Sequence, residues 1–187
     1  LFRSPVEYVF RNKKSVVNQR EVGSDTDTLA IGLKNALRQA PDVIMIGEIR
    51  DRETMSAALA YAQSGHLCLA TMHANNSYPA LGRILSFYAP AARPALLADL
   101  AAGLRAVISQ RLLRGVDGRR VPVVEILLSS PFVSELIEKG EIAAIRDAMK
   151  QGLELGMLTF DESIYQLYAA GRISYDEAMD HADSRTD

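Results

Sequence analysis

The chain reads as an α/β protein, a core built on parallel strands followed by a small helical lobe, and three observations predict it. Val43 to Ile46 and Leu67 to Thr71 are short, unbroken apolar runs of the kind found in parallel strands buried on both faces. Between them, roughly Arg52 to Gln63 has helical texture, with Asp51 placed to cap its start and Gly65 to end it. From Ser130 onward the texture changes to short helices with strong start signals. This puts a boundary near residue 130, dividing the chain into residues 1–129 and 130–187.

Taken in order, Val16 to Val22 (VVNQREV) alternates as a strand does. Thr28 to Gln39 carries apolar residues at 29, 33, 36 and 37, a helical spacing. Ser77 is placed to cap a helix holding Leu81, Ile84 and Leu85. The series Leu96, Leu97, Leu100, Leu104, Val107, Ile108 and Leu112 predicts one long amphipathic helix. Asp117-Gly118 is then a turn. Val121 to Leu128 is a strand, at an edge or late in its sheet because Pro122 removes a ladder donor. In the lobe, Ser130-Pro131, Thr159 to Glu162 and Ser174 to Glu177 each open a helix, the last two as capping boxes.

With 48% hydrophobic and 24% charged residues, the chain has apolar material for one sizeable core, or one core and a satellite, and too much for disorder. A net charge of −2 gives no basic field that would recommend nucleic acid as the main partner. Arg11 to Lys14 is a local basic patch able to touch acidic lipid or a partner protein. The single cysteine, Cys68, lies inside an apolar strand pattern, which predicts a reducing compartment and a buried thiol. No apolar run approaches membrane-spanning length and no signal peptide opens the chain, so any membrane association is expected to be peripheral, with no transmembrane segment.

Chemistry is expected at the strand ends. Gly47, Glu48, Arg50 and Asp51 come directly after the first apolar run, while His66 precedes and His73 succeeds the second. A carboxylate just beyond a buried strand is fixed by the strand yet accessible, which suits holding magnesium or orienting water at a nucleotide-hydrolysing site. The plain alternative for Glu48 is a surface capping group, and for Arg50 a weak ion pair with Asp51 or Glu53. His66 and His73, seven apart across a strand, do not share a face dependably enough for a zinc site. Thr71 suits a hydrogen bond to phosphate or water as well as a structural place in its strand.

PDVIMIGEIRD is similar to the Walker B segment, and GHLCLATMHAN to the histidine box, of the secretion ATPases that drive type II secretion and type IV pili. The resemblance continues through VNQREVGSDTD, ALRQAPD, RDRETMSAALAYAQSGH, AVISQRLL and ELGMLTFDE, nearly the whole chain. Within that family the chain resembles the pilus retraction motors of the PilT/PilU group, on the PilU-like side. NQREVGSDTD, LKNALRQAPDVIMIGEIRDRETM and AAGRISYDEAMDHADS carry that reading. The helix Phe132 to Lys139 stands where PilT-type motors have an AIRNLIRE-like segment, which points the same way.

The resemblance implies that residues 1–129 are part of a RecA-like P-loop ATPase core and 130–187 its C-terminal helical lobe. It implies ATP and magnesium as cofactors, with Glu48 on the magnesium and water side, magnesium held through water, and Gly47, Arg50, His66 and Thr71 binding or sensing nucleotide. His73, at the C-terminal end of its strand, is favoured over His66 for contact near the γ phosphate. Leu1 to Tyr8 matches an acidic box in which Glu7 is retained, while Arg3 and Ser4 occupy the places of a general-base glutamate and its neighbouring aspartate. An arginine cannot take a proton at neutral pH, so hydrolysis is expected to be slowed if both residues are native. No G-x-x-x-x-G-K-[ST] occurs among the 12 glycines, so the chain is expected to be a C-terminal fragment, inactive alone.

The partners implied are a hexameric ring, homomeric or mixed with a PilT-type motor, and the pilus platform protein at the cytoplasmic face of the bacterial inner membrane. Two rivals are a non-hydrolysing accessory ring subunit and a type II secretion or pilus extension ATPase. The latter usually carries a four-cysteine metal insertion, against which a single cysteine argues.

Overall fold

The structure, a computed structural model, describes residues 2–3, 6 and 8–184, the side chains of 2, 3 and 154 excepted. The chain forms two compact units, Leu1–His73 and Ala74–Asp187. In the first, β1 (Phe2–Arg3), β2 (Arg20–Glu21), β3 (Val43–Ile46) and β4 (Leu67–Ala70) form a parallel sheet in the order β2-β1-β3-β4. The helices are α1 (Leu29–Leu37) and α2 (Arg52–Gln63). Thr28 caps α1 by accepting from the Ile31 N–H, and Asp51 caps α2 by accepting from the Thr54 N–H at 2.8 Å. Gly65 turns the chain out of α2 with φ +92°, a left-handed conformation that costs glycine little.

Two expectations for this unit are corrected. Of VVNQREV only Arg20–Glu21 pairs in the sheet, and Val16 is largely exposed. Side chains satisfy the backbone there instead: the Val17 N–H donates to Asn12 Oδ1, while Gln19 bonds the backbones of Tyr8 and Phe10. Nor is the sheet buried on both faces. Ile44 and Ile46 are buried with Leu33 of α1 and Met55, Ala58 and Leu59 of α2, but Val43, Leu67 and Leu69, on the opposite face by strand alternation, are 51%, 51% and 46% exposed. Both helices of the unit serve one face.

The second unit contains α3 (Ser77–Ser86), α4 (Arg93–Gly103), β5 (Ala106–Arg114), β6 (Arg120–Leu128), α5 (Pro131–Glu138), α6 (Ile145–Gln151), α7 (Phe160–Ala169) and α8 (Tyr175–His181). The predicted long helix is wrong in its second half. It stops at Gly103, and from Ala106 the chain runs as β5, paired antiparallel with β6 from Ala106↔Leu128 to Arg114↔Arg120. Ile108 and Leu112, four apart, share a face in either period, but Leu113 is buried beside an exposed Leu112, and the Asp117-Gly118 turn, with Gly118 at φ +78°, closes the hairpin. Gly115 and Arg119 form a hydrogen-bonded pair, which makes Leu112 and Pro122 a non-bonded pair, so the missing Pro122 N–H costs the ladder nothing.

Leu113, Val121 and Val123 of the hairpin pack with Phe160 and Ile164 of α7 and with Ile173 and Ala178. Ile126 and Leu158 also exchange backbone hydrogen bonds at 2.7 and 2.9 Å. Residue 130 therefore falls inside one compact unit, because the hairpin needs α7 to bury its inner face. Ser130, Thr159 and Ser174 accept from the N–H three residues on, as their caps predict. At α3 the cap is Asn76, one residue earlier than expected, and Ser77 is the first residue of the helix.

Candidate functional site

The parallel pairing of β3 with β4 sets Ile46 beside Ala70, so the segments beyond the two strands leave the sheet together. There the Ile49 N–H donates to Thr71 O at 2.8 Å, and the Thr71 hydroxyl donates to the Gly47 carbonyl. Ile46 and Ile49 are both buried. Anchored on either side, the turn presents Glu48 and Arg50 outward.

Glu48 then gathers two cationic or titratable neighbours. Arg50 Nε donates to Glu48 Oε2 at 2.6 Å, and His73 Nε2 lies 3.3 Å from Glu48 Oε1. The Glu48 side chain is 20% exposed, whereas Arg50 and His73 are 66% and 83% exposed. A fixed carboxylate therefore carries a guanidinium and an imidazole out toward solvent, a surface suited to an anionic ligand that also needs a carboxylate nearby. Arg50 finds its carboxylate in Glu48, in place of Asp51 or Glu53. Asp51 instead holds the first turn of α2, and the Thr54 backbone N–H, then the Thr54 hydroxyl, keep its carboxyl below the ordinary value of 3.8.

Each oxygen of Glu48 has a partner within the chain, Arg50 on Oε2 and His73 near Oε1. Among the described residues no group of three or more potential metal ligands occurs. Gly47, Glu48, Arg50, Thr71 and His73 are thus brought together. His66 is not: it precedes β4 and closes the end of α2, with Nδ1 2.9 Å from Ser64 Oγ and its ring edge-on to Tyr61. The whole of β4 separates it from Thr71. Glu7 and Ser4 lie outside the described residues, and Arg3 lies in β1.

A polar cluster in the second unit had no signal in the sequence. Arg111 donates to Asn76 Oδ1 and Asp183 Oδ1, both at 2.9 Å, and Asn76 Nδ2 donates to Asp183 Oδ2 at 2.6 Å. Its members are 35 to 107 positions apart, beyond any local spacing rule.

Residues 4–127 match the profile of the family described as Type II/IV secretion system protein. The chain is 50% identical over 184 residues to the Type IV pilus ATPase PilU of Pseudomonas aeruginosa, covering 98% of this chain and 48% of that protein. It is 40% identical over 111 residues to the Type II secretion system protein E of the same organism, covering 59% of this chain and 20% of that one. The crystal structure of the pilus retraction motor PilT with bound ADP superposes with a TM-score of 0.88 at 37% identity, covering 98% of this chain and 52% of that one. The chain thus spans about half the length of PilU and of the PilT chain.

Proposed function

We propose, from the premise that this chain belongs to the type II/IV secretion system protein family, that it is part of an ATP-hydrolysing motor for type IV pilus retraction and twitching motility, of the PilU-like kind. One observation carries the proposal: at the ends of two adjacent parallel strands, Glu48 is held between Arg50 and His73. ATP and magnesium are the cofactors of this reading, and the ion would neutralise phosphate charge. Glu48 would place the water shell of the ion, His73 and Arg50 would meet phosphate oxygens, and Thr71, through Gly47, holds the two segments in register. Glu7 is the carboxylate proposed to act beside them. His66 is left out of the set.

The assembly proposed is a hexameric ring, of this protein alone or mixed with a PilT-type motor, acting on the pilus platform protein from the cytoplasmic face of the inner membrane. Among the described residues no helix is long and apolar enough to cross a membrane. A specific observation favours a second reading, the non-hydrolysing ring subunit: Arg3 and Ser4 stand where the resemblance places an acidic pair. In the full-length parent, Glu48→Gln should abolish phosphate release while binding of a labelled nucleotide persists, because charge leaves the magnesium side with little change of shape. Unchanged turnover would overturn the role given to Glu48.

A further inference from the structure

The segment Tyr8 to Arg20 forms a closed loop whose ends are stapled by one side chain. Gln19 Oε1 accepts from the Phe10 N–H and Gln19 Nε2 donates to Tyr8 O, both at 2.7 Å, and Asn12 Oδ1 accepts from the Val17 N–H at 2.8 Å. The loop presents Arg11, Lys13 and Lys14 at the surface with Phe10, which is 54% exposed, and no acidic residue lies between positions 8 and 20. A loop held in shape by its own side chains loses little entropy on docking. Its chemistry, basic and aromatic together, fits an acidic partner with aromatic surface.

The second unit carries such a surface. Tyr168 of α7 and Tyr175 of α8 meet edge to face, ring centroids 5.9 Å apart, and are 42% and 59% exposed. Asp176 and Asp180 come next on α8, one turn apart and both exposed. Of the six aspartates and glutamates between positions 161 and 183, Asp161 and Asp183 are paired with Arg146 and Arg111 and Glu177 accepts from the Arg114 N–H, so Asp176 and Asp180 carry the exposed charge of this face, with Arg172 the one arginine in the segment.

We propose that the basic loop of one copy of this protein docks on the acidic tyrosine face of α7 and α8 of a neighbouring copy. Two different surfaces that recognise each other make a head-to-tail contact, which repeats from copy to copy and closes into a ring or continues as a filament. The charges steer and register the contact, and the aromatic groups supply its buried area. The inference deepens the proposed ring assembly and rests on it. Its test reads assembly without nucleotide turnover, so an inactive enzyme and a wrong interface are told apart.

The experiment uses the full-length product of the native gene and two variants, Lys13→Glu with Lys14→Glu in the loop and Asp176→Lys with Asp180→Lys on the face. Sedimentation velocity should show each variant self-associating about tenfold or more weakly than wild type. An equimolar mixture of the two should regain assembly, because each reversed surface then meets its complement on the other variant. Wild-type assembly should weaken between about 50 and about 500 mM salt, as expected for exposed charges. The proposal is overturned if either variant assembles like wild type, if the mixture does not recover, or if wild-type assembly ignores salt. Loss of binding to phosphatidylglycerol vesicles by the loop variant, with assembly intact, would assign the loop to lipid and also overturn it.

Discussion

Ser77 gives both its backbone N–H and its hydroxyl to one oxygen of Glu125, at 2.7 and 2.6 Å, in a site where Ser77 is fully buried and Glu125 is 3% exposed. A strand carboxylate thereby satisfies the first turn of α3, a service that the Asn76 cap does not perform with its own side chain.

Removing that carboxylate should be costly. Glu125→Ala leaves two buried donors without their acceptor and should destabilise the fold by about 1–3 kcal/mol, lowering Tm by about 2–4 °C per kcal/mol. Glu125→Gln, which keeps an acceptor oxygen, should cost less. Thermal melts monitored by circular dichroism would decide it, and an unchanged Tm for Glu125→Ala sinks the assignment.

Asp51 makes a pH-dependent contribution. Its folded pKa is depressed, so its stabilisation is present above the unfolded value and fades as pH falls through the lower folded one. Asp51→Ala should cost about 1 kcal/mol at neutral pH through loss of the α2 cap, and the gap from wild type should narrow below about pH 4. Urea melts at neutral and acid pH test this. A gap of equal size at both would contradict it.

Cys68 is half-buried, and burial pushes its thiol pKa up. Since the thiolate is the reactive form, a water-soluble thiol reagent should label the native protein on the order of tenfold more slowly than the urea-unfolded chain. Labelling at the same rate before and after unfolding would mean that the thiol is not sheltered on the inner side of β4.

Arg3 and Ser4 separate a motor from an accessory subunit. In the full-length parent, Arg3→Glu together with Ser4→Asp should raise intrinsic ATP turnover, on the order of a hundredfold if a general base is restored. If the wild type already turns over as fast, the base comes from elsewhere, and Glu7 is the first residue to substitute.

The sequence carried most where one side chain decides a local structure. Asp51, Ser130, Thr159 and Ser174 each accept from the N–H three residues on, so four helix starts could be placed from their capping residues. The placement of Glu48 and His73 just beyond two strand ends was legible because a strand fixes the residues that come directly after it, although their mutual contact and the Thr71–Gly47 bond depend on which strands are neighbours. The predicted helix failed only beyond Gly103, where Ile108 and Leu112 suit both periods and the partner strand β6 decides between helix and strand. It failed at Val16 to Gln19, where Gln19 and Asn12 take over the backbone. His66 and His73 lie at opposite ends of β4, as their places before and after the apolar run imply.

The half-covered sheet of the first unit governs how solutions of the 187-residue chain should age. Among the described residues β4 pairs with β3 alone, so one row of its backbone groups faces outward next to half-exposed Leu67 and Leu69. Such an edge is a template for strands of other molecules, and apolar neighbours favour the encounter. Concentrated stocks should cloud with a steep dependence on protein concentration, long before the helices of the second unit lose their circular dichroism, and the first amides to gain hydrogen-exchange protection in the clouded material should be those of β4.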